Sequence, residues 1–220
     1  MGGCRTDATV NIRADSSGAG VVSVDVVLDA DATKGLGDGE GRLVTDDLAE
    51  NGWALTQPEP TETGGSVLHA EKSFADVGQA NAILRELTGT NGALSSLSLT
   101  RKRSLTGVKL SLTGTVDLQG GLGSFGDADL KALTGSTSAL GIDDGELSRQ
   151  AGAEVADAFT FAVSGNLIES SKRWDVRLGT RKEIALGASR FTYEPIVGIA
   201  AAVGALAGLV LLLASFRKNP

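Results

Sequence analysis

From Pro195 to Phe216 the chain carries no charged side chain: PIVGIAAAVGALAGLVLLLASF, 22 residues. As a helix rising ~1.5 Å per residue it would extend roughly 33 Å, the thickness of a bilayer core. A core helix rarely runs over 20 residues without a charge, so the expectation is one transmembrane helix over 195–216. Phe191 and Tyr193 before the run and Phe216 at its close suit interfacial anchors. Arg217 and Lys218 follow at once, and the positive-inside rule puts them, as a tail of residues 217–220, in the cytoplasm. Residues 5–190 then form an extracytoplasmic domain. No second long apolar run exists, which excludes a multi-span protein. Gly204 and Gly208 make a GxxxG spacing, alongside Gly198 and Ala202. That is either a helix-packing face or chance in an Ala/Gly-rich run.

The other end of the chain is short and ambiguous. The opening MGGCRTDATV has neither a charged n-region nor an apolar h-region. Cys4, the sole cysteine, follows Gly2-Gly3 and begins a polar stretch, as at the end of a bacterial lipobox. Met1 stands where a lipobox has Leu, so this reading expects an upstream start, with residues 1–4 a lipobox remnant and Cys4 acylated. A lone acylated Cys needs no disulfide partner in an oxidising compartment. Gly2 and Thr6 also fit an N-myristoylation pattern, with Cys4 free for palmitoylation and the domain cytosolic. The third reading is that these residues carry no signal.

Composition narrows the function classes. The net charge is −7, against nucleic-acid binding, which needs a basic face. One Cys and one His leave little material for a metal site or thiol chemistry, so no metal and no cofactor are expected. Charge is uneven: residues 1–65 hold 12 acids and 4 bases, residues 66–195 hold 15 and 14. Twelve Arg against eight Lys, with abundant Ala, Val, Asp and Gly, fit a high-GC bacterial source.

Between the ends, period-two patterns predominate. Thr9–Ala14 and Val21–Leu28 alternate around a Gly18-x-Gly20 turn, which predicts a hairpin. An acidic loop over Asp29–Gly41 leads to a helix near Arg42–Glu50. Pro58 and Pro60 mark a turn, and Ser66–Phe74 reads as a strand. Asp76 caps a helix over Val77–Thr88 with Ile83, Leu84 and Leu87 inward, stopped by Gly89. Leu97–Arg103 and Val108–Leu118 form the clearest hairpin, the second strand carrying Val108, Leu110, Leu112, Gly114, Val116 and Leu118 on one face. Helical pieces near Asp127–Leu133 and Asp143–Gln150 follow, then strands around Phe159–Val163, Trp174–Leu178 and Glu183–Phe191. The expected fold is one α+β domain, an antiparallel sheet of about seven to eight strands with helices on one face, close to the bilayer because few residues separate the last strand from Pro195.

Several spacings imitate known sites. Gly121-x-Gly123-x-x-Gly126, with Asp143 and Asp144 about 20 residues on, matches a dinucleotide fingerprint, but its strand belongs to an antiparallel hairpin rather than a βαβ unit. Asp29, Asp31 and Glu40 sit at positions 1, 3 and 12 of a calcium-loop spacing, yet position 6 is Lys34 where Gly is required. His69 alternates with Val67 and Glu71 away from the core, and no G-x-S-x-G elbow accompanies it. Asp46-Asp47 and Asp143-Asp144 read as helix N-terminal acids. None of this points to an enzyme. The hairpin tip does stand out: Arg101, Lys102, Arg103 and Lys109 surround an exposed Leu105 in an acidic protein. One reading is protection of an edge strand. The other is contact with anionic lipid headgroups.

With Gly2-Gly3-Cys4, the ATVNIRAD strand of residues 8–15, the GAGVVSVDVVLDAD of residues 18–31, an α+β domain and a terminal span followed by basic residues, the chain resembles the actinobacterial LppM-like lipoproteins. The resemblance implies a cell-envelope lipoprotein whose non-enzymatic domain associates with lipids or glycolipids, and it carries over no catalytic residue. A structural or adaptor protein that docks another envelope protein is the alternative.

Overall fold

The computed structural model describes residues 5–35, 46–87, 92–125 and 159–191. The expected hairpin forms as β1 (Thr6–Ala14) and β2 (Gly20–Leu28), antiparallel with Val10 opposite Val24. These pair into a six-stranded sheet of order β3-β4-β2-β1-β7-β8, where β3 is Ala54–Pro60, β4 Ser66–Phe74, β7 Phe159–Leu167 and β8 Ser170–Val176. A second sheet, order β5-β6-β9, is built from β5 (Ser98–Ser104), β6 (Gly107–Asp117) and β9 (Arg181–Phe191). Three short or medium helices are described: α1 (Ala30–Gly35), α2 (Asp46–Glu50) and α3 (Val77–Glu86).

The chain is thus mixed α+β with strands predominant, as expected, but three particulars differ. The described residues form nine strands in two sheets rather than one sheet of seven or eight. One pairing, β1 with β7, is parallel. Pro58 and Pro60 belong to edge strand β3, not to a turn; its register shifts between Thr56 and Glu59. An edge strand has one row of N–H groups free of the ladder, so it tolerates proline and bulges.

Two sheets arise because the strands carry most of their apolar side chains on one face. Val10, Ile12, Val22, Val163 and Leu167 line the inner face of the large sheet, and Leu99, Leu110, Leu112, Ile184 and Ala188 that of the small one. Stacking the faces removes both from water. Gly165 makes the approach close: a Cβ there would lie 2.9 Å from Leu186 Cδ2 and 3.2 Å from Leu112 Cδ2. α3 fills the remaining ground against β2, β4 and β5. Its N-cap Asp76 accepts from the N–H groups of Gly78 (2.8 Å) and Gln79 (3.0 Å), while Gln79 Oε1 reaches back to the Ala75 N–H at 2.8 Å. Ala80, Ile83 and Leu84 are buried as the 3.6 period demands.

α3 also seals an open edge. Asn81 Nδ2 donates to the Leu99 carbonyl at 3.0 Å and Asn81 Oδ1 accepts from the Leu99 N–H at 2.7 Å. One side-chain amide thus stands in for a neighbouring strand on β5. Trp53 is buried nearby, its Nε1 donating to Glu86 at 2.8 Å, and Lys72 closes the clamp on the same carboxylate at 2.8 Å.

The directions of the strands in the two sheets can be related through two contacts. Arg101 on β5 reaches the turn after β1, its Nε donating to the Ser16 carbonyl at 3.1 Å. At the opposite end, Phe125 meets Phe159 and Phe161 at the start of β7, with ring centroids 5.7 and 5.0 Å apart. Phe125 belongs to the 3-10 turn Gly121–Phe125 just past β6, and the adjoining Ser124 carbonyl accepts from Ala93, whose own carbonyl accepts from Asp117. Hence β1, β5, β7 and β9 all point toward the 104–107 hairpin. Among the described residues no helix is long and apolar enough to cross a membrane. The run 195–216, the tail 217–220, Cys4 and the helical pieces near 127–133 and 143–150 lie outside the described residues.

Candidate functional site

The β5–β6 hairpin turns on two residues, Leu105-Thr106, with Ser104 opposite Gly107. Ser104 Oγ donates to the Gly107 carbonyl at 3.1 Å and stiffens the turn. The tight turn lifts Leu105 clear of the fold, so that it is 82% exposed. β9 ends beside it: Phe191 stands opposite Gly107 and is 68% exposed. Of the four exposed large hydrophobic residues among those described, these two are the most exposed, and they share one end of the small sheet.

Cations surround them. Lys102 lies directly opposite Lys109, and in the next row Arg103, Val108 and Arg190 stand side by side across three strands. All four charged side chains are exposed, and among the described residues none has a carboxylate partner. Like charges directly opposite one another in a sheet are destabilising, so the fold gains nothing from the Lys102–Lys109 pair. An anion outside the fold would remove that repulsion.

The structure separates the residues expected at this tip. It sets Lys102 and Lys109 on one face of the hairpin and Arg103 on the other, around Leu105, and it adds Arg190 and Phe191. It does not bring in Arg101: half-buried, that side chain lies along Gly18 and is spent on the Ser16 carbonyl. Arg101 therefore joins the hairpin to the large sheet rather than facing outward. Phe191 was visible in the sequence as an interfacial aromatic. Arg190 was not, because only the β6–β9 register carries it beside Arg103.

A second polar group lies on the outer face of the large sheet. The register aligns Thr9, Asp25 and His69 in one row and Asn11, Ser23 and Glu71 in the next. His69 Nδ1 is 2.5 Å from Asp25 Oδ1, and its Nε2 is 3.6 Å from Glu71 Oε2. Asn11 Nδ2 donates to the other Asp25 oxygen at 2.6 Å. The hydrogen bond to Asp25 raises the His69 pKa, burial opposes it, and the Asp25 and Glu71 charges add to the rise. The sign follows by linkage: the pair stabilises the fold fully below the unfolded His pKa of about 6.5, and the contribution is lost as pH climbs through the higher folded pKa. The ring is 35% exposed, so solvent screens the pair. Because His69 is the only His, its imidazole proton resonance titrates unambiguously. The expected midpoint lies above about 6.5 and falls back in Asp25→Asn. A wild-type midpoint at or below that value would refute the assignment.

The remaining spacings acquire structural roles. Asp29 is the cap of α1, accepting from the Ala32 N–H at 2.7 Å and from the Arg5 N–H at 2.8 Å; Glu40 of the calcium-loop spacing lies outside the described residues. Gly121 opens a 3-10 turn after a strand paired antiparallel on both sides, so no βαβ unit forms around it; Gly126 lies outside the described residues. Among the described residues no three His, Cys, Asp or Glu side chains are placed to hold a metal ion. No protein-family model, no curated protein and no solved structure matches the chain.

Proposed function

We propose that this protein is a non-enzymatic cell-envelope lipoprotein whose extracytoplasmic domain, residues 5–190, binds an anionic lipid or glycolipid through the hairpin end of its small sheet. In this reading residues 195–216 span the cytoplasmic membrane, residues 217–220 face the cytoplasm, and Cys4 carries an acyl anchor. One observation carries it. Two exposed apolar side chains and four cations without a carboxylate partner among the described residues occupy the end of the domain from which the chain continues, four residues after Phe191, into the uncharged run. Apolar side chains ringed by Lys and Arg are what a headgroup layer over acyl chains accommodates.

The soluble fragment 5–191 tests the binding. It should co-sediment with vesicles rich in phosphatidylglycerol and not with phosphatidylcholine vesicles, and the association should weaken between about 50 and 500 mM salt as the Debye length shrinks. Equal binding to both vesicle types would end the reading. Mass spectrometry of the native amino terminus tests the anchor: the expected species begins at a diacylglyceryl Cys4. An unmodified Met1 in the mature protein would remove that part, and a myristoylated Gly2 would replace it.

A further inference from the structure

The two ends by which the domain would be tethered lie at opposite ends of the sandwich. Gly165 pairs with Ile12 and packs on Leu186, which ties the two sheets together at one level. Thr6 lies six residues before that level on β1, and Phe191 five residues after it on β9, with both strands running the same way. Eleven residues at ~3.3 Å give about 36 Å along the strands, or roughly 30 Å allowing for a ~30° crossing of the sheets. Covalent reach does not close this distance. Cys4 stays within ~7 Å of Thr6, and Pro195 within ~14 Å of Phe191.

Charge follows the same axis. Asp7, Asp29, Asp31, Glu59 and Glu62 gather where β1 and β4 begin and β2 and β3 end, and with Asp117 and Glu183 of the small sheet they outnumber the cations Arg5, Arg177, Arg181 and Lys182 at the same end. Lys102, Arg103, Lys109 and Arg190 stand at the hairpin end. Asp15, Asp76 and Glu169 are also toward that end, Asp15 and Asp76 accepting hydrogen bonds as turn and helix caps as Asp29 does at the other. On an anionic surface a domain lying flat would bring the acidic end within a Debye length of about 8 Å and be repelled. A domain standing on its hairpin holds the acids well beyond that length.

We infer that the domain stands upright on the bilayer holding residues 195–216, strands along the membrane normal, with its amino-terminal end about 30 Å above the surface, so that an acyl chain on Cys4 enters a second lipid surface. This rests on the hairpin contact, the 195–216 span and the Cys4 acyl anchor proposed above. The domain is then a spacer between two lipid surfaces.

Fluorescence quenching in the full chain, reconstituted in phosphatidylglycerol vesicles, tests both statements separately. Cys4 is the only cysteine, so one chain is labelled there with a nitrobenzoxadiazole dye, and a second chain, Cys4→Ser with Leu105→Cys, is labelled at the hairpin. With headgroup spin-labelled lipid, the Leu105 position should be strongly quenched and the Cys4 position should match a quencher-free control. Equal quenching at both positions would overturn the upright orientation while leaving the hairpin contact intact. An unquenched Leu105 position would overturn the hairpin contact, and the inference with it. Finally, the full chain carrying a palmitoyl-maleimide adduct on Cys4 should draw protein-free vesicles into co-sedimentation, whereas the unmodified chain should not. Absence of that capture would overturn the second-surface assignment.

Discussion

Exchanging Lys102, Arg103, Lys109 and Arg190 together for Gln is expected to weaken binding of residues 5–191 to anionic vesicles about 10²–10³-fold. A cation near a negatively charged surface contributes ~1 kcal/mol, and three to four such terms correspond to that factor. The salt dependence should flatten with them. Folding should be nearly unaffected, because the four side chains are exposed and no carboxylate among the described residues pairs with them. Relief of the Lys102–Lys109 opposition should even add a few tenths of a kcal/mol. The edge-protection reading predicts the reverse pattern, with binding unchanged and aggregation increased. Arg101→Gln is the internal control. It removes the bond to the Ser16 carbonyl, so it should cost stability, about 1–2 kcal/mol, and leave vesicle binding close to wild type. Unchanged affinity in the quadruple variant would dispose of the headgroup contact.

The second large effect lies in the frame that aims the hairpin. Gly114→Ala is expected to destabilise residues 5–191 by about 3 kcal/mol or more, read as a fall in the urea midpoint with unchanged slope. Gly114 holds φ +141°, and a Cβ there would sit 2.1 Å from the Ser96 carbonyl oxygen and 2.8 Å from Leu97 Cα. Both are backbone atoms of the segment entering β5, which is tied to β6 by Ser96 Oγ donating to the Thr115 carbonyl at 2.7 Å. That segment cannot retreat without breaking its own bonds. Gly179→Ala separates strain from collision: its φ is +74° but nothing lies within 4 Å of the added carbon, so the cost should be only about 1 kcal/mol. Similar losses at the two positions would show that steric contact with Ser96 is not what matters.

Both predictions depend on a register that the sequence states only in part. The alternation in Val108–Leu118 fixes which β6 side chains turn inward, and the strand forms as the pattern demands. The same holds for β1, β2 and β4, and for α3, where Asp76 marks the cap and Ile83 and Leu84 the buried face, with Leu87 half-buried and Ala80 joining them only in the structure. β3 was hidden because Pro58 and Pro60 speak for a turn unless the strand is known to be an edge. The opening of β8, Ser170–Arg173, was hidden because consecutive polar residues show no period.

Local states and the facing of side chains were legible in the sequence, since period two, period 3.6 and helix caps are properties of contiguous residues. The sequence also placed the uncharged run and put four of the five cations of the hairpin region within the nine residues 101–109. Only the tertiary structure decided the rest: the division into two sheets, the parallel pairing of β1 with β7, the removal of Arg101 to Ser16, and the arrival of Arg190 and Phe191 beside Leu105. Strand pairing is a contest among many registers of similar local merit. It is settled by which arrangement buries the apolar faces together, and that depends on residues such as Gly165 and Leu186, far apart along the chain and in contact only once it has folded.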